Sequence, residues 1–255
     1  MLHALVMVNF VAYLRQMGRA VIDFALPPRC IACGDILGDP GNFCADCWTQ
    51  AHFLTGPACG QCGHPLPDHH GVEHALRCGH CLADPPAFDA MRAVMAYDDI
   101  SRAVVLQLKH GRHLAHARMM ARLMVRLLPP PHPDMPRLLV PVPLHRWRLW
   151  RRGFNQSVLV ADHLARMAGV AHQRGALRRI KATPSLGHLG RRARAKAVSG
   201  AFRATQRVTG CHIILIDDVF TTGSTAAGCA RALKKAGAAR VDVLCWARVC
   251  RDLSG

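Results

Sequence analysis

A chain of 255 residues, 51% of them hydrophobic, carries enough apolar side chain for one large domain or two smaller ones. It contains no run of about eighteen apolar residues, which excludes a spanning helix, and its N-terminus lacks a secretory cleavage pattern, so a cytoplasmic protein with reduced thiols is expected. The formal net charge of +17 is weak evidence for nucleic acid in itself, because Arg and Ala abundance follows GC-rich codon usage, but its distribution says more: His145 to Arg207 holds fifteen Arg or Lys and a single acid, Asp162.

Residues 1–28 open the chain with an amphipathic pattern from Met1 to Leu26, read as a helix that packs on the body and is stopped by Pro27 and Pro28. Residues 29–86 form a segment organised by cysteine. Cys30/Cys33, Cys44/Cys47, Cys59/Cys62 and Cys78/Cys81 are four Cys-x-x-Cys pairs separated by ten, eleven and fifteen residues. Each pair can place two thiolates on one metal, and two pairs complete a tetrahedral site with no open position. Gly34, Gly60, Gly63 and Gly79 follow cysteines as zinc-knuckle turns require. Two structural Zn²⁺ ions are expected, and the spacing admits both a sequential double ribbon and an interleaved cross-brace. A disulfide framework does not suit a cytosolic chain, and four redox pairs in one segment are implausible. So small and loop-rich a segment needs its metals in order to fold. His64, His69, His70, His74 and His80 are read as solvated or supporting residues, since eight thiols already fill two sites. Cys211, Cys229, Cys245 and Cys250 lack partner spacing and are read as small core residues.

From 87 to 255 strands alternate with helices, the pattern of an α/β domain with a parallel sheet. Met91 to Tyr97 reads as a strand. Ile100 to Leu128 reads as helix with a break near Gly111, and Lys109 within it reads as a surface lysine. Leu138 to Pro143 reads as a buried strand, followed by a basic loop and a helix from about Ser157 to Met167. That loop carries Arg151, Arg152, Gly153, Asn155 and Gln156, an anion site sized for a diphosphate. Trp147 and Trp150, set among arginines, could instead stack on the bases of a single strand or simply cover the core. Leu177 to Ile180 reads as a short strand. Thr183 to Val198 is polar, basic and glycine-containing, suited either to a flap over a bound diphosphate or to a long surface loop. Val241 to Ala247 supplies the last strand.

Between these lies the most informative stretch, Ile213 to Thr225. Ile213-Ile214-Leu215-Ile216 reads as a strand buried on both faces, with Asp217 and Asp218 where it runs out. A turn of Thr221, Thr222 and Gly223 leads into a helix from Ser224 to Ala236 that Gly237 stops. Backbone N–H groups from Thr221 to Thr225, with the helix dipole behind them, suit a monophosphate; the hydroxyls of Thr221, Thr222, Ser224 and Thr225 add donors. Paired carboxylates beside a phosphate cradle suit a vicinal diol or hydrated Mg²⁺. A ribose 5-phosphate fits both halves.

The stretch resembles the phosphoribosyl pyrophosphate (PRPP) motif of type I phosphoribosyltransferases: four apolar residues, Asp-Asp, two apolar residues, Thr-Thr-Gly-x-Thr. With Pro27-Pro28-x-Cys, the four cysteine pairs, Arg152-Gly153-Phe154-Asn155-Gln156, Leu189, Arg194 and Gly200-Ala201-Phe202, the chain is similar to the ComF family of late competence proteins. It departs from that family at Leu186 and Ala197, where a Gln and an Asn are usual. The resemblance implies a type I phosphoribosyltransferase-like parallel sheet flanked by helices, spanning 87–255, behind an N-terminal zinc-ribbon module. It further implies Zn²⁺ in two structural sites, Mg²⁺ with PRPP or a related nucleotide as ligand, and a role in handling internalised single-stranded DNA during natural transformation, with a DNA translocase or helicase as partner. Two alternatives stand beside it. One is an active phosphoribosyltransferase in which Asp217 and Asp218 are catalytic and Arg151 and Arg152 stabilise departing diphosphate. The other is a zinc-ribbon adaptor with a vestigial transferase fold.

Overall fold

The computed structural model describes residues 27–67, 76–110, 115–182 and 191–250. The expected N-terminal helix, His69, His70 and His74, the break near Gly111, and the flap residues 183–190 lie outside them. The chain divides into two compact units, one ending at Thr49 and the other beginning at Gln50.

The first unit is a cysteine turn facing a short helix. Arg29 and Ile36 form an antiparallel bridge around Cys30 and Cys33. Helix α1 (Ala45–Gln50) carries Cys47, and its Trp48 meets Phe43 edge-on at 6.2 Å.

The second unit opens with the other cysteine cluster, closed by helix α2 (Gly79–Ala83), and continues into the sheet. In chain order come β1 (Ala90–Ala96), α3 (Asp99–His110), α4 (Ala115–Met124), β2 (Arg137–Pro141), α5 (Arg146–Arg152), α6 (Gln156–Ala168), β3 (Ala171–His172), β4 (Leu177–Arg179), α7 (Arg191–Val198), β5 (Phe202–Ala204), β6 (His212–Phe220), α8 (Ser224–Lys235) and β7 (Arg240–Arg248). Five strands make one sheet in the order β1-β7-β6-β2-β3, every neighbouring pair parallel. This is the expected parallel sheet flanked by helices. Strands β4 and β5 form a separate antiparallel pair around residues 180–201.

Strand periodicity builds two apolar layers. Ile213 and Leu215 of β6 share a core with Val241, Val243 and Cys245 of β7, and α8 lays Ala226, Cys229, Ala230 and Leu233 on it at helical spacing. Ile214 and Ile216, equally buried, alternate to the opposite face. Trp246 is fully buried as well, and its indole N–H donates to the Ser101 carbonyl of α3 at 3.3 Å. The middle stretches of the central strands, Ile213 to Ile216 of β6 and Val243 to Ala247 of β7, are thus apolar on both faces because both faces are covered.

Two expectations are corrected here. The strand does not run out at Ile216: β6 continues to Phe220, because β7 reaches Arg248 and pairs Asp217 with Cys245 and Val219 with Ala247. The tryptophan–arginine segment is not a loop but helix α5. His145 caps it, Nδ1 accepting from Trp147 N–H at 3.4 Å, and Gly153 ends it in the left-handed region at φ +83°. Among the described residues, no helix is long and apolar enough to cross a membrane.

Topology fixes where chemistry can gather. From β2 the chain moves outward to β3, whereas from β6 it moves the other way to β7, although β2 and β6 are neighbours. The crevice beyond their carboxyl ends is the switch point of the sheet.

Candidate functional site

Cysteine geometry comes first, since spacing alone left the pairing open. The sulfurs of Cys30, Cys33, Cys44 and Cys47 lie within 4.8 Å of one another, as do those of Cys59, Cys62, Cys78 and Cys81. Pairing is therefore sequential. Cys33 and Cys44 sulfurs are 3.7 Å apart and Cys62 and Cys78 sulfurs 3.6 Å, against about 3.8 Å for the edge of a tetrahedron with Zn–S bonds of ~2.3 Å. Backbone N–H groups of Cys44 and Cys47 point at the sulfurs of Cys30 and Cys44, and those of Cys62 and Cys78 at Cys59. Against burial, backbone N–H groups of Cys33 and Cys44 draw the Cys30 thiol, and those of Cys62 and Cys78 the Cys59 thiol, down to about 6, while burial and neighbouring sulfurs push Cys47 and Cys81 up. Four clustered thiolates need a central cation, and the two groups are structural zinc sites.

The second cluster is built into the α/β body. The Arg248 guanidinium, at the end of β7, donates to the Cys62 carbonyl; Gln61 donates to the carbonyls of Pro86 and Phe88; Arg92 donates to that of Gly60. Gly63, at φ +63°, approaches so closely that a Cβ there would fall 2.6 Å from the Met91 carbonyl oxygen. Arg248 also lies over the Phe220 ring at 5.5 Å, and that ring sits under Gly223, where a Cβ would meet it at 2.8 Å. Metal knuckle, Arg248, Phe220 and the Thr221–Gly223 turn form one packed series. A cleft of about 660 Å³ separates Cys78, His80 and Pro86 from Thr221, Thr222 and Arg231.

At the switch point Asp217 and Asp218 end the inner part of β6. Ser157 Oγ donates to Asp217 Oδ1 at 3.3 Å, and Gln156 Nε2 to Asp218 Oδ2 at 3.3 Å. Lys109 Nζ stands 2.8 Å from Asp218 Oδ2. Burial and the adjacent Asp218 push the Asp217 carboxyl up to about 7. Arg152 is half-buried; burial lowers its pKa, opposed by the charge of Asp218. Beyond the carboxylates the turn brings Gly223 to φ +75°, Thr222 and Ser224 hydroxyls meet at 2.9 Å, and α8 starts with Ser224 and Thr225. A helix of twelve residues begins at this turn, as a phosphate cradle requires.

The residues expected to hold diphosphate are on the same side of the sheet. Arg151 and Arg152 end α5, and with Lys109, His110, Trp147, Arg148 and Phe154 they line a cleft of about 550 Å³. Gly153 caps α5. Asn155 caps α6, its Oδ1 accepting from Ser157 N–H at 3.0 Å while Nδ2 donates to the Val142 carbonyl, so its side chain is engaged in fixing the turn. Lys109, a surface lysine by its sequence context, is instead largely buried against Asp218 of the carboxylate pair. Its cue was the acid-free run Lys109-His110-Gly111-Arg112-His113, which signals an anion-facing segment but not its partner.

Comparison with known proteins fits this geometry. The double zinc ribbon domain family matches residues 21–82. The DNA utilization protein YhgH of Salmonella typhi is 40% identical over 202 residues, 76% of this chain and 84% of the relative. Competence protein F of Haemophilus influenzae is 30% identical over 86% of this chain and 96% of its own. Competence protein ComFC of Bacillus subtilis is 27% identical over 77% of this chain and 79% of its own.

Proposed function

The chain belongs to the ComF family of competence proteins, and from that premise we propose that it binds PRPP at the β6–α8 crevice and handles internalised single-stranded DNA in the cytoplasm during natural transformation. One observation carries the ligand reading. Asp217 and Asp218, braced by Ser157, Gln156 and Lys109, stand one turn ahead of a glycine-shaped helix start, at the sheet's switch point and beside Arg152. Thr221 to Thr225 would take the 5-phosphate, the Asp pair the ribose hydroxyls, and Arg151 with Arg152 the diphosphate. Asp217 and Asp218 are hard oxygen ligands that fit a hydrated Mg²⁺ bound with the diphosphate, where it would offset the repulsion between like charges. Names of the relatives, DNA utilization and competence, support the DNA half.

The test is calorimetric titration of the zinc-loaded protein with PRPP and Mg²⁺. Binding that weakens at least ~10-fold in Asp217→Asn is the expected result; equal affinity in that variant would sink the site assignment. A second reading, phosphoribosyl transfer to an acceptor, is favoured by one feature: Lys109 and Arg152 place positive charge where diphosphate would depart. Diphosphate release that depends on both PRPP and an added acceptor would establish it.

A further inference from the structure

Helix α5 carries two indoles that the fold does not use. Trp147 and Trp150 stack on each other with ring centroids 5.1 Å apart and planes 24° from parallel, yet they remain 61% and 75% exposed. Buried in a core, such residues would contribute more to folding than any other side chain. Here they lie three residues apart on one helical face, with Leu149 also exposed between them. Their surroundings are basic: Arg146, Arg148, Arg151 and Arg152 share the helix, and among the described residues no acidic side chain lines the adjoining cleft. An apolar protein partner would call for an apolar rim. A cationic rim around paired aromatic faces calls for a polyanion that also presents flat rings.

We propose that Trp147 and Trp150 are the stacking platform for bases of single-stranded DNA, whose phosphates run over the α5 arginines. This rests on the DNA-handling reading above and gives it a location. The platform opens on the cleft that also contains Lys109, the partner of Asp218. A strand held on α5 therefore lies alongside the sugar-phosphate crevice rather than elsewhere on the molecule.

The experiment uses the full-length, zinc-loaded protein and a thymidine oligonucleotide of about sixteen residues, long enough for a single aromatic-lined site. In a Trp48→Phe background, with Trp246 buried, intrinsic fluorescence reports α5; the oligonucleotide should quench it. Trp147→Ala with Trp150→Ala should weaken binding roughly 30-fold or more, while Trp147→Phe with Trp150→Phe stays within a few-fold of the parent. The Ala pair should leave the slope of log affinity on log salt unchanged, and Arg148→Gln should lower it by about 0.7. Unchanged affinity in the Ala pair, or no quenching in the Trp48→Phe protein that keeps both indoles, with the parent still binding DNA, would overturn the platform and leave α5 to a protein partner. A parent protein that binds no oligonucleotide would overturn the DNA-handling reading itself, and the platform with it. Retained zinc and an unchanged melting temperature in the Ala pair confirm that the loss is not misfolding.

Discussion

At the scale of single residues the crevice trades stability for chemistry. Asp217 is placed where burial and the neighbouring Asp218 oppose its ionisation, so its folded carboxyl titrates well above an ordinary aspartate. The sign follows directly. A folded pKa raised above the unfolded value contributes stability below about 4, and that contribution is lost as pH rises through about 7. The proposed ligand would run the other way, since ribose hydroxyls and a metal favour the ionised form. Asp217→Asn is therefore expected to raise the melting temperature of the ligand-free protein at pH 8 and to do less at pH 5, by ~2–4 °C for each kcal/mol relieved. Differential scanning fluorimetry across that range measures it; a variant less stable than the parent at pH 8 contradicts the strained-carboxylate picture. The same residues show how far the sequence could be read. Asp217, Asp218 and Gly223 announced themselves by adjacency, whereas Lys109 and Ser157 acquire their roles only when α3 and α6 are brought to the end of β6, which no local pattern encodes.

Elements were legible where period and punctuation agreed. The buried run at 213–216, the helix closed by Gly237 and the cysteine pairs all carry such signals. The pairing of the cysteines did not, because ten-, eleven- and fifteen-residue gaps reach either partner. Nor did α5, whose arginines and tryptophans look like a loop in sequence and become a helix between a histidine cap and a left-handed glycine. Sequential pairing makes a prediction at this scale. The second centre is tied through Arg248 and Phe220 to the Thr221–Gly223 turn, so Cys59→Ser with Cys62→Ser should release one zinc and weaken PRPP binding by about tenfold or more. Cys30→Ser with Cys33→Ser should release the other zinc without that loss. Metal analysis and titration of the two variants distinguish them; equal PRPP affinity in both would show that the packed series does not hold the turn.

Taken whole, the chain is one-signed in charge along the segment that supplies the arginines of the crevice. Fifteen basic residues and a single acid between His145 and Arg207 include Arg151 and Arg152, the rest of α5 and the segment between β4 and β5. Asp162, that single acid, is already engaged by Arg174 at 2.7 Å and His172 at 2.9 Å, and so subtracts little from the field presented outward. Affinity for single-stranded DNA should accordingly fall with added salt at a log–log slope of several units, and a flat response in filter-binding or anisotropy measurements would remove the basic segment from the interface.

The strand order has a further consequence, in the timing of synthesis. Both metal centres are complete once Cys81 has left the ribosome, before Ala90 begins the first strand. The middle of the sheet arrives last: among the described residues β1 pairs within the sheet with β7 alone, and Ala90 waits for Asp242. Arg248, which fastens the Cys62 knuckle to the finished body, comes later still. A nascent chain thus carries two finished zinc centres and a first strand bridged by residues 52–54 but without its sheet neighbour through most of its translation, and one interrupted before Arg240 never acquires the strand that joins β1 to the rest of the sheet.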